Sequence, residues 1–539
     1  MRRWNGWGDD TIQYPLSGGA LSFLEEVIGH GAPTNDVPMA DVLAKVPPSR
    51  LTNLPDTNLI QIDSATRLRH ARGQSLPDWI ALRSGRIPAF PDGVAFPTSA
   101  ADVARLLAYA AEAEARVIPY GGGTSVVGHI NPEPGEQPVL TVSLRRMNRL
   151  SSLDSISLLA TFGAGVTGPE LEAQLRARGL TLGHYPQSFE FSTLGGWVVT
   201  RSSGQQSLGY GRIEGLFAGG TLLSPAGELR LPPFPASAAG PDIRQLVLGS
   251  EGRMGVLTDV TVRVSPLPDH EEFHAVFFPD FTEGMAATRR IAQARLPLSL
   301  LRLSTPTETR TTLALAGHER IIGLLEAMLN VRGAGDGKVM LLCGFTGRSA
   351  TIRDARHDVI DIAKEHGGIH VGQRFGEQWI EGRFRTPYLR NTLWSLGYAV
   401  DTLETATTWD NIPRMVEQIE SALHSSLPDS ERVHVFTHLS HVYPQGASVY
   451  TTYLFRLSAD PAKTLERWGL LKGAASRAIV ACSGTISHQH GVGRDHRSYL
   501  TAEKGVLGMN ALAAAIEQFD PAGIMNPGVL IDNREGGDR

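Results

Sequence analysis

Three consecutive glycines follow a predicted strand in the first half of the chain, in the segment PYGGGTSVVG over residues 119–128. A backbone with adjacent glycines can adopt positive φ angles and approach a ligand closely. The preceding residues predict a strand at GVAF, a helix that begins after Ser99 with Asp102 three residues later, and a strand that ends at Ile118. The glycine loop therefore ends a strand of an α/β unit, where dinucleotide phosphates usually bind.

Two common nucleotide-binding motifs do not fit this loop. A P-loop requires a lysine after its last glycine, and a Rossmann fingerprint requires G-x-G-x-x-G at the start of a helix. Here the loop is followed by VGHINPEPGEQP, which contains too many turn-forming residues for a helix. Taken alone, the loop is equally consistent with a tight turn and with a cofactor site.

Two further glycine turns favour the cofactor site. The segment PQSFEFSTLGGWVVTRSSG, residues 186–204, combines glycines with hydroxyl groups that can bond a ligand without adding charge. A third turn, GSEGRMGV, covers residues 249–256. Three separated glycine turns in one α/β region are difficult to explain by packing alone.

Composition limits the class of protein. A chain of 539 residues is too long for one core, so two or three domains are expected. A formal net charge of -5 argues against nucleic-acid binding, and only two cysteines are present, which excludes a disulfide framework and fits a reducing compartment. The start does not match a signal peptide, and no apolar run reaches the roughly 20 residues that span a bilayer, so we expect a cytoplasmic protein.

The pattern of elements changes along the chain. Residues 1–86 predict helices and loops, and the next part alternates strands with short helices. Residues 270–371 give strand, helix and strand twice, which is typical of a ferredoxin-like domain. The last 80 residues predict a strand at RAIVACSG, a loop, and a long helix from about Ala502 to Phe519.

The three glycine segments together resemble the FAD-binding half of the vanillyl-alcohol oxidase family, most closely its alkyldihydroxyacetonephosphate synthase branch. WNGWG near the start, YLRN, DTLETATTWD, YPQGASVY and SHQHGVG extend the resemblance over nearly the whole chain. It implies an α+β fold of four parts: an N-terminal helical region over 1–86, a two-subdomain FAD-binding domain over 87–267, a ferredoxin-like cap or substrate domain over 268–455, and a C-terminal region with helices over 456–539 that closes over the flavin.

The resemblance implies FAD as cofactor, bound by four segments. The implied contacts are Pro119, Tyr120, Gly121, Gly122, Gly123, Thr124, Ser125, Gln187, Ser188, Phe189, Glu190, Phe191, Ser192, Thr193, Thr200, Arg201, Ser202, Ser203, Glu251, Gly252, Arg253, Met254, Gly255, Val256 and Leu257. Some relatives attach FAD through a histidine in or near the first loop, where this chain has only Tyr120 and a later His129. We therefore expect FAD to be non-covalent.

The implied reaction replaces the acyl chain of acyl-dihydroxyacetone phosphate with a fatty alcohol in ether lipid synthesis. Flavin N5 would capture the sugar carbon as the fatty acid leaves, and the alcohol would then attack, without net redox change. The resemblance also implies a homodimer. Because the substrate is amphiphilic, peripheral membrane contact is expected through the N-terminal part that holds Trp4 and Trp7.

By resemblance, Tyr450 in YPQGASVY is the acid/base tyrosine, assisted by His488 and His490. A tyrosine has an ordinary pKa of about 10, so a basic role would need neighbouring cations or hydrogen-bond donors. On the sequence alone, packing of Tyr450 against Tyr453 and Phe455 in a strand is the stronger interpretation.

The two histidines lie on a glycine-bounded loop that is predicted to follow a strand. Two alternatives are a solvated pair and a pair of metal ligands, but no Asp, Glu or Cys stands beside them, so no metal is predicted. The family pattern is commonly three histidines, and Gln489 stands in place of the middle one.

Two arginines match family positions. Arg390, in YLRN, matches the substrate-binding arginine, and a guanidinium suits a phosphate monoester; its alternative is a surface arginine after a helical turn. Arg302, in LLRLS, matches an arginine near the flavin that would stabilise negative charge on the reduced ring. Its alternative is a buried ion pair, because an arginine in an apolar strand needs a partner.

Two other functions stay open from the sequence. A flavin-dependent 2-hydroxy acid dehydrogenase or oxidase has the same fold, but the dehydrogenases typically have Glu at the position of Gln489 and a GDGN-type metal motif where this chain has YPQGASVY. A catalytically silent lipid-binding module is the second, and the presence of Tyr450, Arg390 and both loop histidines weighs against it.

Overall fold

A computed structural model describes residues 1–56, 58–316 and 319–532 of the chain. The predicted C-terminal region thus extends beyond the described residues at 533–539. The first 86 residues contain four helices and a short strand, which are α1 (Gly18–Ile28), α2 (Met39–Leu43), β1 (Ile60–Gln61), α3 (Ser64–Arg69) and α4 (Leu76–Ser84).

The next segment forms a small, mainly parallel sheet covered by one helix. Its elements are β2 (Gly93–Ala95), α5 (Ala100–Glu112), β3 (Arg116–Tyr120) and β4 (Val139–Ser143). The strand order is β1-β2-β4-β3, with β2, β4 and β3 parallel and β1 antiparallel to β2. The sheet brings the first glycine loop to the carboxyl end of β3, as predicted.

A second, antiparallel sheet of five strands follows, in the order β5-β6-β10-β8-β9. Strand β7 lies outside this sheet and pairs with β11. The elements are β5 (Leu150–Asp154), β6 (Leu159–Gly163), α6 (Gly168–Arg176), β7 (Leu180–Thr181), α7 (Leu194–Thr200), α8 (Ser207–Tyr210), α9 (Ile213–Leu216), β8 (Phe217–Ser224), β9 (Gly227–Leu231), α10 (Arg244–Val247), β10 (Val256–Arg263) and β11 (Ser265–Pro266).

The second half of the chain is built on a seven-stranded sheet in the order β15-β12-β14-β13-β17-β18-β16. Its first four strands, with α11 and α14, repeat strand, helix and strand, which is the predicted ferredoxin-like pattern. The elements are β12 (His270–Phe278), α11 (Phe281–Gln293), β13 (Leu300–Ser304), α12 (Pro306–Leu315), α13 (Glu319–Val331), β14 (Val339–Gly347), α14 (Ser349–Glu365), β15 (Ile369–His370), α15 (Arg374–Gly382), α16 (Leu389–Ser395), β16 (Tyr398–Thr408), α17 (Ile412–His424), β17 (His434–Val442), β18 (Gly446–Arg456), α18 (Pro461–Ala481) and α19 (Leu500–Phe519).

The predicted strand at RAIVACSG is wrong, because its first five residues form the last turn of α18. Leu471, Ala475 and Ile479 recur every four residues along this helix, and all three are buried. A short apolar run fits a buried strand and a buried helix equally well, so its pattern alone could not distinguish them. The histidine loop therefore follows a helix.

The N-terminal residues pack on both halves of the molecule. Trp7 is 7% exposed and contacts Phe191 edge-on, with ring centroids 5.7 Å apart. Trp4 packs against a cluster that includes Val42 and Leu82. Trp7 is buried and Trp4 is partly buried, and membrane docking through this segment stays a prediction. Among the helices of the described residues, none combines the length and apolar character needed to cross a bilayer.

We predict that Ile479→Ala lowers the apparent melting temperature of the flavin-loaded protein, because truncation of a buried isoleucine leaves a cavity and typically costs about 2–5 kcal/mol. Leu470→Ala, on the half-exposed face of the same helix, is the matched control and should change it little. Equal effects of the two variants would contradict the buried face described for α18.

Candidate active site

The first glycine loop provides a row of unpaired amides. In the part of the chain that the structure describes, no protein group accepts a hydrogen bond from the main-chain N–H groups of Gly121 to Ser125. The loop packs tightly on the second glycine segment: a Cβ atom at Gly122 would lie 1.8 Å from the carbonyl oxygen of Phe191, and one at Gly121 would lie 2.3 Å from Thr193 Oγ1. These amides at the end of a parallel strand suit the pyrophosphate of FAD.

The second segment, residues 187–193, is held by internal bonds. Trp197 Nε1 donates to Ser192 Oγ over 2.7 Å, and Thr193 caps helix α7. Glu190 has a buried carboxylate oxygen, Oε2, without a hydrogen-bond partner among the described residues. A buried acceptor of this kind suits a hydrogen-bond donor of a bound ligand.

Several of the other predicted FAD residues have side chains that pack in the core or bond to other parts of the protein. Met254, Val256 and Leu257 are core side chains, and Arg253 Nη1 donates to the carbonyl oxygen of Met525 over 2.6 Å. Ser202 Oγ lies 2.7 Å from His184 Nε2. Any contact of these five residues with FAD must therefore come mainly from the backbone.

Glu251 joins the third glycine turn to the histidine loop. Its carboxylate accepts hydrogen bonds from the amides of Val492, at 2.5 Å, and Gly493, at 2.7 Å. Burial raises the pKa of Glu251 to about 7, although the two amides act in the opposite direction. Glu251 is among the residues predicted to contact FAD, and its side chain anchors residues 492 and 493 in the structure.

Tyr450, on strand β18, lies between the rings of two histidines from other parts of the chain. His438 stacks on it at 4.8 Å between ring centroids, and His490 meets it edge-on at 5.8 Å. Tyr453 and Phe455 stack on each other instead, so the packing alternative for Tyr450 does not hold. Burial raises the pKa of Tyr450 above its ordinary value and lowers the pKa of His490.

Arg302 reaches this cluster through a buried carboxylate. Its guanidinium is paired with Glu308 and lies 3.2 Å from His438 Nδ1, while Glu308 Oε2 lies 2.8 Å from the same nitrogen. Burial alone would raise the pKa of Glu308, but Arg302 and His438 lower it to about 2. The structure therefore shows the ion-pair alternative for Arg302. The pair also contacts His438, whose ring stacks on Tyr450.

His488 belongs to a second cluster, with Glu404, Tyr443 and Arg212. Its Nδ1 lies 3.1 Å from Glu404 Oε1, and its Nε2 lies 2.7 Å from Tyr443 Oη and 2.5 Å from Arg212 Nη1. Arginine can only donate, so Nε2 accepts and the proton resides on Nδ1, which donates to Glu404. The protein thereby fixes one tautomer of His488.

His441 brings a third ligand-type atom near Glu404, so three such atoms lie within 4.8 Å of one another. The sequence did not reveal this, because Glu404 and His441 are remote from His488 along the chain. The fixed positive charge of Arg212 on His488 opposes a divalent cation at the same place. His441 instead bonds on its other side to Ser203 and Ser207, at 3.3 and 3.1 Å.

Arg390 is half-buried near the start of α16 and stacks on Trp79, with its guanidinium carbon 4.2 Å from the ring centroid. Its Nη1 donates to the carbonyl oxygen of Gln74 over 2.5 Å, whereas Nε and Nη2 are buried without partners in the described residues. Burial lowers the pKa of Arg390 to about 10. It is thus not a surface arginine, and its free donors suit an anion.

Sequence reasoning missed the partners of the predicted residues. They are Glu308, Glu404, His438, His441, Arg212 and Tyr443. All but Arg212 lie on or beside strands of the cap sheet or on α12. Glu308, the farthest along the chain, lies 180 positions before His488 (488 − 308), and no local motif marks their meeting. The signal available was their polar character within apolar strands, since such groups need buried partners.

Comparison with known proteins bears on the family and the cofactor of the chain. Residues 91–231 match the family model "FAD binding domain", and residues 267–530 match "FAD linked oxidases, C-terminal domain". The alkyldihydroxyacetonephosphate synthase of Dictyostelium discoideum is 32% identical over 486 residues, covering 89% of this chain and 79% of the relative. That of Caenorhabditis elegans is 29% identical over 569 residues, covering 98% and 95%.

A solved alkyldihydroxyacetonephosphate synthase structure is also similar, with 27% identity, a TM-score of 0.82, and coverage of 98% of both chains. Together with the family models, this similarity confirms the predicted fold, of FAD-binding domain and cap, and it confirms FAD as the cofactor. The unpaired amides of the first loop are the feature of this chain that fits the cofactor most directly.

We predict that Gly122→Ala lowers FAD affinity at least about tenfold, because the added methyl group must displace the 191–193 loop at a cost of about 1–3 kcal/mol. Fluorescence of released flavin on dilution measures the affinity. Gly215→Ala is the control, since no atom lies within 4 Å of the new Cβ position. Normal FAD affinity in Gly122→Ala would show that the loop does not hold the cofactor.

Proposed function

Because the chain belongs to the alkyldihydroxyacetonephosphate synthase family, we propose that it replaces the acyl chain of acyl-dihydroxyacetone phosphate with a fatty alcohol. The observation that carries the proposal is the position of Tyr450 between the rings of His438 and His490. An ester-to-ether exchange needs groups that give and take protons at one place, and this arrangement supplies them.

Arg390 is proposed to bind the substrate phosphate. Two of its nitrogens are buried without partners, and a buried cation is costly unless an anion pairs with it. A phosphate monoester offers several oxygens to these donors. Stacking on Trp79 fixes the guanidinium plane and so sets the direction from which the phosphate is held.

Tyr450 is proposed to act as a proton donor rather than as a tyrosinate base. Burial raises its pKa, so the hydroxyl keeps its proton near neutral pH. Burial lowers the pKa of His490, so that imidazole is unprotonated and can accept a proton. We assign His490 to the proton next to the ketone, and Tyr450 to the oxygen of the departing fatty acid.

The buried carboxylates are proposed to position the imidazoles. Glu404 and Arg212 fix the tautomer of His488, and Glu308 and Arg302 hold His438 against the Tyr450 ring. Arg302 thus acts on the site through His438. When bound, FAD supplies an electrophilic ring nitrogen that can carry the sugar carbon during exchange of the chains, without net electron transfer.

The wider setting follows from the same proposal. The product would enter ether lipid synthesis, FAD would be bound non-covalently, and the protein would act as a cytoplasmic homodimer in peripheral contact with a membrane. Membrane contact is supported only by the amphiphilic substrates, because the two N-terminal tryptophans pack within the molecule.

The proposal predicts exchange without an electron acceptor. Flavin-loaded protein under anaerobic conditions receives acyl-dihydroxyacetone phosphate and a labelled fatty alcohol. The label should appear in an ether product, with one fatty acid released per ether formed. In the exchange the alcohol O–H bond and the C–O bond between the sugar carbon and the acyloxy group break, while the ether C–O bond and the O–H bond of the free acid form. No label transfer, with bleaching of the flavin by a 2-hydroxy acid, would identify a dehydrogenase instead.

For Tyr450→Phe we expect turnover to fall by about 100-fold or more, because the proton donor is lost, while FAD content stays normal. Tyr499→Phe removes a hydroxyl outside the cluster and serves as the control. Rates of labelled ether formation, compared at equal flavin content, test the difference. Full activity of Tyr450→Phe would remove the tyrosine from the mechanism.

A further inference from the structure

Residues 1–10 form a strap that touches both parts of the active site. A bridge pairs Arg2 with Asp9, and the terminal amine bonds to Asp10 over 2.7 Å, so the strap closes on itself. On one side it reaches the first glycine loop. On the other, Trp7 and Asn391 exchange two hydrogen bonds, from Trp7 N to Asn391 Oδ1 at 3.2 Å and from Asn391 Nδ2 to Trp7 O at 3.0 Å.

Arg2 places a positive charge at the glycine loop. Its Nη2 lies 3.4 Å from the carbonyl oxygen of Gly123, and its guanidinium lies over the ring of Phe191, 5.2 Å from the centroid. Within the described residues no carboxylate pairs with Arg2, although its side chain is half-buried. Burial lowers the pKa of Arg2, and the neighbouring Arg145 and Arg69 lower it further.

Arg69 supports the same position, since its Nη1 donates to the carbonyl oxygen of Arg2 over 3.0 Å. Arg2 thus lies at a loop whose own amides have no acceptor among the described residues, and neither Arg2 nor Arg69 is paired with a carboxylate there. A half-buried cation beside orphan donors favours an anion, because an unpaired charge and unpaired amides are both costly when shielded from water. The anion must carry enough charge and oxygens to satisfy both sets of groups.

We propose that the N-terminal strap completes the diphosphate site of FAD, with Arg2 as a cofactor-binding residue. The amides of Gly121 to Ser125 donate to the diphosphate oxygens, and Arg2 neutralises their charge from the strap. Because the strap also bonds Asn391, next to Arg390, a bound cofactor would stabilise the same contacts that hold the substrate-binding helix.

The test compares two flavins that differ in the diphosphate. For Arg2→Gln in the full chain, FAD affinity should fall about tenfold, whereas riboflavin, which lacks phosphate, should bind as it does to the wild-type protein. FAD dissociation is followed by flavin fluorescence on dilution of the loaded protein, and riboflavin is titrated into flavin-depleted full-length chain. Arg2→Lys keeps the charge and should recover most of the FAD affinity.

Arg3→Gln is the matched control. Arg3 lies in the same strap but donates to the carbonyl oxygens of Asp10 and Ile12, so its loss tests the integrity of the strap rather than the charge at the loop. If Arg2→Gln weakened riboflavin as much as FAD, the residue would be structural, and the proposal would be wrong. Unchanged FAD affinity would overturn it as well.

A third outcome against the proposal would be that the charge of Arg2 acts on the substrate instead of on FAD. If Arg2→Gln binds FAD normally but raises the KM for the phosphorylated substrate, Arg2 serves the substrate phosphate and the proposal is wrong. The binding experiment does not depend on the proposed synthase activity: flavin affinities are measured without substrate, so failure of the exchange assay would leave the result on Arg2 intact.

Discussion

One buried carboxylate joins the two halves of the active site. Glu251 lies in the turn before β10 of the FAD-binding half, and it accepts the amides of Val492 and Gly493 from the loop that carries the histidines. Asn526 donates to the main-chain carbonyl of Glu251 and to that of His129, so the C-terminal segment is tied to the same point. The distance from the glycine loop to the histidines therefore depends on a few short hydrogen bonds made by the buried side chains of Glu251 and Asn526.

Two clusters of the same composition lie in the site. Each contains a buried carboxylate, an arginine and an imidazole, namely Glu308 with Arg302 and His438, and Glu404 with Arg212 and His488. A buried carboxylate alone would take up a proton, but Arg302 and His438 lower the pKa of Glu308, and the histidines around Glu404, with His488 first, lower the pKa of Glu404. The imidazoles are thereby oriented by charges that do not change near neutral pH, which suits groups that must exchange protons repeatedly.

Local signals in the sequence predicted the parts of the structure that depend on neighbouring residues. Ser99 caps α5, as expected, because a cap and its helix lie within four positions. The three glycine turns were predicted for the same reason. By contrast, Glu404 meets His488 because the histidine loop lies against β16, where the His488 amide donates to the Glu404 carbonyl oxygen over 3.1 Å, and no local pattern encodes that meeting. The strand predicted at RAIVACSG is wrong because only long-range packing decides between helix and strand for this short apolar run.

The replacement of a family histidine by Gln489 is understandable from the directions of its neighbours. His488 faces Glu404, Tyr443 and Arg212, whereas His490 faces Tyr450, so the two residues serve different clusters. None of these contacts involves Gln489. The tautomer of His488 is set by an acceptor on one nitrogen and donors on the other, which leaves no role that a middle imidazole must fill. The proton-transfer groups proposed for this chain, Tyr450 and His490, therefore do not depend on a third imidazole in the loop.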